Sequence, residues 1–242
     1  MPGAPRPTYV RDGVALGAAV GLFGVTYGIL ATTAGLSVAQ ACATSLLVFT
    51  GASQFAAVGI VSAGGSPASA LASALMLASR NGIYGLALHH HLRGSILRRL
   101  GMAHLIIDES TAMALGQDDP DDAGKAFLVA GLSVFAFWNL GTLLGAVGGN
   151  ALGDPEAWGL DAAFPAGFLV LAAPHIRSRD GRVAAVAGAV IALVAVPLVP
   201  AGAPIVLSSL GAGVALLARR GRGGAVDGPA GDGSVDNVGP AT

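Results

Sequence analysis

The stretch Leu36 to Gly64, LSVAQACATSLLVFTGASQFAAVGIVSAG, is largely apolar and is interrupted near its centre by Gly51-Ala52-Ser53-Gln54-Phe55. As one helix at about 1.5 Å per residue it would be roughly 43 Å long, against the roughly 30 Å of a bilayer's hydrocarbon core. A single straight span fits poorly. A small-residue break carrying a hydroxyl and a carboxamide frees backbone groups at mid-depth, which is tolerated only where they face protein or a water-filled cavity. The break therefore reads as the floor of a transport site.

Composition places the whole chain in the membrane. Only 11% of the 242 residues are charged and 53% are hydrophobic, with a mean hydropathy of +0.69, whereas about a quarter of a soluble domain is charged. The length accommodates six or seven spans of about 20 residues with short loops and no soluble domain. The 37 glycines suit helices that pack closely through small faces. Cys42 stands alone, and no CxxC or HExxH spacing suggests a metal site or a cofactor. No basic run points to nucleic acid.

Taken in order, residues 1–12, with Arg6, Arg11 and three prolines, read as a disordered leader. A first helix is expected from Val14 to Ala34, longer than the apolar region of a secretory signal and hence retained. Pro67 is placed to open a helix that runs to Leu92 and carries Arg80 and Asn81. Gly101 to Gln117 is too short and too polar to cross, with Asp108 and Glu109 at its middle. Further spans are expected at Ala123 to Gly148, Leu160 to Ile176 (interrupted by Phe164-Pro165-Ala166), Val183 to Pro200 and Pro204 to Ala218, followed by a disordered cytoplasmic tail over 219–242. The fold class is thus all-α: a polytopic transmembrane helix bundle of six to seven spans, occupying residues 13–218, with broken helices near Gly51 and Pro165.

Basic residues cluster at 93–99, 177–182 and 219–222. Lys and Arg in short loops mark the cytoplasmic side. All three clusters share that side, with the N-terminus, if 101–117 does not cross and the Leu36 to Gly64 segment enters and leaves by one face; seven crossings with the N-terminus outside is the alternative.

Several side chains carry candidate chemistry. Ser53 and Gln54 at the break supply donors for a carboxylate and acceptors for an ammonium, although the same pair can simply join helices. Arg80 within a helix calls for a counter-ion, Asp108 or Glu109, because each such charge costs about 2.5–3.5 kcal/mol at a lipid-exposed helix centre; a purely structural ion pair is the alternative. His89-His90-His91, His104 and His175 read as interfacial groups beside basic loops, and Trp138 as packing.

Together these residues resemble the AzlC family, the large subunit of branched-chain amino acid exporters. The resemblance rests on Gly51-Ala52-Ser53-Gln54-Phe55, on Arg80 followed by Tyr84-Gly85, on Asp108-Glu109 after a basic loop, and on Phe164-Pro165-Ala166 with Phe168, in the family's order between Asp12 and Ala218. Ala78 and Asn81 depart from it where the family often has a polar or acidic residue and a histidine. The resemblance implies export of branched-chain amino acids, often methionine too, across the bacterial cytoplasmic membrane, driven by the proton gradient and in complex with a small hydrophobic AzlD-type subunit. It places Gly51, Ser53, Gln54, Arg80, Tyr84, Asp108, Glu109 and Pro165 at the substrate. A membrane scaffold and an intramembrane serine hydrolase using Ser53 are the readings from other classes.

Overall fold

A computed structural model describes residues 8–90, 94–149 and 175–223, with the isolated positions 159, 162, 169, 172 and 173. It is helical, with no strand among the described residues. The elements are α1 (Tyr9–Thr33), α2 (Val38–Val48), α3 (Gly51–Ser62), α4 (Pro67–Ala87), α5 (Ile96–His104), α6 (Asp108–Leu115), α7 (Pro120–Gly148), α8 (Arg179–Ala195), α9 (Ala203–Ser208) and α10 (Leu210–Gly223). Three stretches, Tyr9–Thr33, Pro120–Gly148 and Ala203–Arg220, are long and apolar enough to cross a membrane. Large apolar side chains such as Leu47, Ile83 and Leu193 are 77%, 68% and 73% exposed, as a lipid-facing surface requires.

α1 and α7 form the centre. Gly13, Gly17, Gly21, Gly24 and Gly28 are all buried on one stripe of α1. A methyl group at Gly17 would lie 2.8 Å from Ser133, at Gly21 2.8 Å from Phe137 and at Gly24 2.6 Å from the Trp138 carbonyl; at Gly28 it would run into the Thr142 carbonyl. On α7, Gly141 and Gly145 admit the carbonyls of Gly21 and Val25 in the same way. Small residues let the backbones touch, which is how helices associate where lipid removes the hydrophobic drive. Residue numbers rise together along the contact, so α1 and α7 run parallel.

The chain between them must therefore return to the end where it started. α2, capped by Ser37 and Gln40, runs antiparallel to α7: Ser45 meets Thr142 at 3.1 Å and the Phe49 ring meets Phe135 at 4.9 Å. Phe49 then adopts φ 36°, Thr50 is extended, and α3 turns back, with Gly51 against the Trp138 ring and Phe55 beside Tyr27 and Trp138. α2 and α3 are the two limbs of a hairpin that enters and leaves by one end. Gly51 opens α3, and the turn itself lies at Phe49-Thr50.

α4 crosses back. Ala74 lies opposite Ser53 and Gly85 opposite Ile106. α5 climbs along α7 from Arg98 and Met102 near Lys125 and Leu128 to Leu105 against Gly131, and α6 returns to Pro120. Residues 101–117 thus do not cross, as their length and polarity predict; they form most of a second hairpin from the opposite end. α8 and α10 pack antiparallel through Gly188 and Gly211, and Gly202 between them touches Ile60 and Ser69. Every described Lys and Arg except Arg80 then lies toward one end. The helix bounds correct two expectations: residues 9–12 are the first turn of α1, and residues 219–223 belong to α10.

Two measurements follow. Gly28→Ala should lower the stability of the purified protein by about 1–3 kcal/mol, the usual cost of overpacking, seen as a reduced melting temperature, while Gly82→Ala, with nothing within 4 Å, should not. In a Cys42-free background, single cysteines at positions 8 and 90 should be labelled from the cytoplasmic side and one at 64 from outside; labelling of position 8 from outside would reverse the orientation.

Candidate functional site

The α5–α6 hairpin, the inner one as α2–α3 is the outer, is built around its tip. Leu105, Ile106 and Ile107 are buried, and the Ser110 hydroxyl donates to Leu105 O at 2.6 Å and accepts from Ile107 N at 3.1 Å, which closes the turn. α6 therefore starts inside the bundle with Asp108 and Glu109 in its first turn, where free N–H groups and the positive end of the helix dipole favour carboxylates. Asp108 Oδ2 lies 2.7 Å from Arg80 Nη2, and Asp108 Oδ1 accepts from the Tyr84 hydroxyl at 2.7 Å. Arg80 and Tyr84 stand one turn apart on α4 and reach the carboxylate together. The pair keeps access to its surroundings, the side chains of Arg80 and Asp108 being 31% and 27% exposed. Glu109 is half-buried beside them.

This cluster has capacity left over. Arg80 Nε, Asn81 Oδ1 and Thr111 Oγ1 are buried without a hydrogen-bond partner. A ligand carboxylate could take the open side of the guanidinium, whose planar fork suits two oxygens, while an ammonium would find Asp108 and Glu109.

The outer hairpin carries the second polar group. Gln54 is 3% exposed, and its carboxamide lies close to the Tyr27 hydroxyl without a hydrogen bond of good geometry; Trp138 Nε1 is likewise unpaired. Around them the rings of Tyr27, Phe55 and Trp138 lie 5.7–6.1 Å apart, with the Tyr27 hydroxyl 2.6 Å from Thr44 Oγ1. A methyl group at Gly51 would lie 2.9 Å from the Trp138 ring, so glycine is what lets α3 begin there. The Ser53 hydroxyl donates to Ala74 O at 2.9 Å and ties α3 to α4.

The expected site residues thus fall into two groups. Arg80, Tyr84, Asp108 and Glu109 come together; Gly51, Ser53 and Gln54 lie on the other hairpin, with Ser53 opposite Ala74 and Arg80 six residues, roughly 9 Å, further along α4. Pro165, with Phe164, Ala166 and Phe168, lies outside the described residues. His89 and His90 stay at the basic end of α4, with rings 3.7 Å apart. His104 is different. It ends α5 half-buried at the level of Phe135, part-way along α7, with Nε2 2.9 Å from Leu46 O on the outer hairpin. Its position four residues before Asp108, in a segment too short to cross, was the available signal.

The family model described as AzlC protein matches residues 15–152, a stretch that holds both hairpins, Arg80, His104 and the α1–α7 contact. The chain belongs to the AzlC family. Among its relatives, an uncharacterized membrane protein of Archaeoglobus fulgidus is 33% identical over 174 residues, 69% of this chain and 74% of that protein. An uncharacterized membrane protein of Helicobacter pylori is 25% identical over 179 residues, covering 73% and 78%. The branched-chain amino acid transport protein AzlC of Bacillus subtilis is 25% identical over 150 residues, covering 61% and 59%. No solved structure matches the chain significantly.

Within this AzlC chain the Arg80–Asp108 contact can be tested apart from activity. Arg80→Gln or Asp108→Asn leaves the other charge uncompensated, and each should destabilise the protein in detergent by about 1–3 kcal/mol, the lower end applying because both side chains keep some access. The double variant should recover part of that loss; strictly additive losses would show that the two charges are not coupled.

Proposed function

We propose that this chain is the large subunit of an exporter in the bacterial cytoplasmic membrane that moves branched-chain amino acids, with methionine as a further substrate, at the expense of the proton gradient. The observation that carries the reading is the unspent polar capacity at the tips of two opposed hairpins: Asp108 at one tip, a replaceable carboxylate beside Arg80 Nε of α4, and at the other Gln54, whose carboxamide makes no hydrogen bond of good geometry. Buried polar groups without partners call for a missing ligand or water. The name of the Bacillus subtilis relative, a branched-chain amino acid transport protein, supports the substrate class.

In this reading the substrate carboxylate displaces Asp108 from part of the Arg80 guanidinium, and Asp108, with Glu109, receives the ammonium. Tyr84 steadies Asp108 through the exchange. Gln54 serves the opposite approach, and the apolar side chain lies among the Ala, Val, Leu and Phe residues of the spans. A zwitterion satisfies both signs at once, which a simple anion or cation does not. An AzlD-type small subunit completes the transporter, its helices packing on the small-residue faces of this one.

The test is leucine or valine efflux normalised to protein in the membrane. Gln54→Ala and Arg80→Gln should each lower it by roughly five- to 150-fold, the equivalent of about 1–3 kcal/mol of binding. Ser53→Ala should instead lower abundance at unchanged normalised efflux, because its hydroxyl is committed to Ala74. Wild-type normalised efflux in both Gln54→Ala and Arg80→Gln would move the transport site elsewhere. Efflux with and without a co-expressed small subunit tests the partner, and full export by this chain alone would remove it.

A further inference from the structure

The two hairpins touch through His104. α2 and α5 both end at the level of Phe135, part-way along α7, and the last carbonyls of a helix lack partners along the helix and form the negative end of its dipole. The imidazole ends α5 and reaches the last turn of α2. Its Nε2 is 2.9 Å from Leu46 O; facing a carbonyl, that nitrogen carries the hydrogen, which leaves Nδ1 of the neutral ring with a lone pair. The rings of Phe49, in the turn after α2, and of Phe135 on α7 lie 5.7 Å from it, within the range at which aromatic rings attract a cation.

We propose that His104 carries the coupling proton of the transport reaction, a proposal that rests on the transport reading above. Nδ1 takes a proton from water on one side of the membrane, giving an imidazolium whose Nε2–H remains on Leu46 O, and later releases that proton on the other side. The Leu46 carbonyl in the last turn of one half-helix and two aromatic rings hold the charge in between, the kind of environment in which discontinuous helices bind coupling cations.

The groups that could compete for this role are placed otherwise. His104 touches Leu46, Phe49 and Phe135, none of which titrates. On α2 the nearest titratable group is Cys42, one turn before Leu46. On α6, beyond the tip, Asp108 is held by Arg80 and Tyr84 of α4, with Glu109 beside it. On α7 the nearest charged residue is Lys125, ten positions before Phe135 and paired with Asp122, and on α5 itself Arg98 and Arg99 lie toward the basic end. Because His104 spans both hairpins, a change in its charge acts on the contact that separates the two polar groups.

The experiment compares wild type and His104→Gln in proteoliposomes, with the small subunit included where export needs it. Glutamine can still donate to Leu46 O but cannot carry a proton. Leucine counterflow without a gradient should persist in His104→Gln, while the acceleration of leucine movement by a pH gradient should be lost. Gradient-driven transport equal to wild type in His104→Gln would overturn the proposal. Wild-type protein that shows counterflow but no gradient response would overturn it, together with the proton-driven part of the transport reading, and leave the substrate class standing; wild-type protein with no counterflow would remove the transport reading itself. If His104→Gln is inactive in both assays, the nitrogen-15 signals of the wild-type ring decide: a ring that gains and loses a proton between about pH 5 and pH 9, with a response to leucine, supports the proposal, and one that stays neutral throughout overturns it.

Discussion

The contact between α1 and α7 is the constraint from which the rest of the architecture follows. Where Gly17, Gly21, Gly24 and Gly28 stand, no side chain can fit without moving a neighbouring backbone, so the relative height of the two helices is fixed by steric exclusion and not by any directional bond. Two parallel helices adjacent in space demand one net return between them. α4 supplies that return, and the remaining segments, α2–α3 and α5–α6, must each come back to the end they left. The hairpins are thus a consequence of the parallel contact as much as of their own sequences.

Each hairpin also divides a helix into halves whose ends have opposite polarity. α3 and α6 present N-terminal ends inside the bundle and carry Gln54 and the Asp108-Glu109 pair near them; α2 and α5 present C-terminal ends and meet at His104. Anionic and cationic preferences are therefore separated in space without any large number of charged residues. This explains how a chain with 11% charged residues assembles so much polar capacity in an apolar bundle: most of the field comes from peptide groups that the membrane would not tolerate unpaired elsewhere.

Much of this was legible in the residues. A stretch too long for one span with a small-residue break had to be two helices, and an arginine inside a helix had to find a carboxylate, which the structure identifies as Asp108. The short polar run 101–117 could not cross. The turn at Phe49-Thr50 was not legible, because glycine is the residue expected to take a left-handed conformation and Gly51 stood two positions away. The depth of His104 was hidden for another reason: the reach of a hairpin tip depends on which part of α7 it packs against, and that is set by the distant glycine stripe. The stripe itself has a readable spacing of three and four residues, lost among many other glycines.

Phe49 has one more consequence. An aromatic residue at φ 36° costs about 1–2 kcal/mol relative to ordinary backbone, and what holds it there is the packing of its ring between Phe135 and His104. The turn of the outer hairpin behaves as a loaded spring whose catch belongs to the inner hairpin. The shape of one hairpin's turn thus depends on the position of the other's tip.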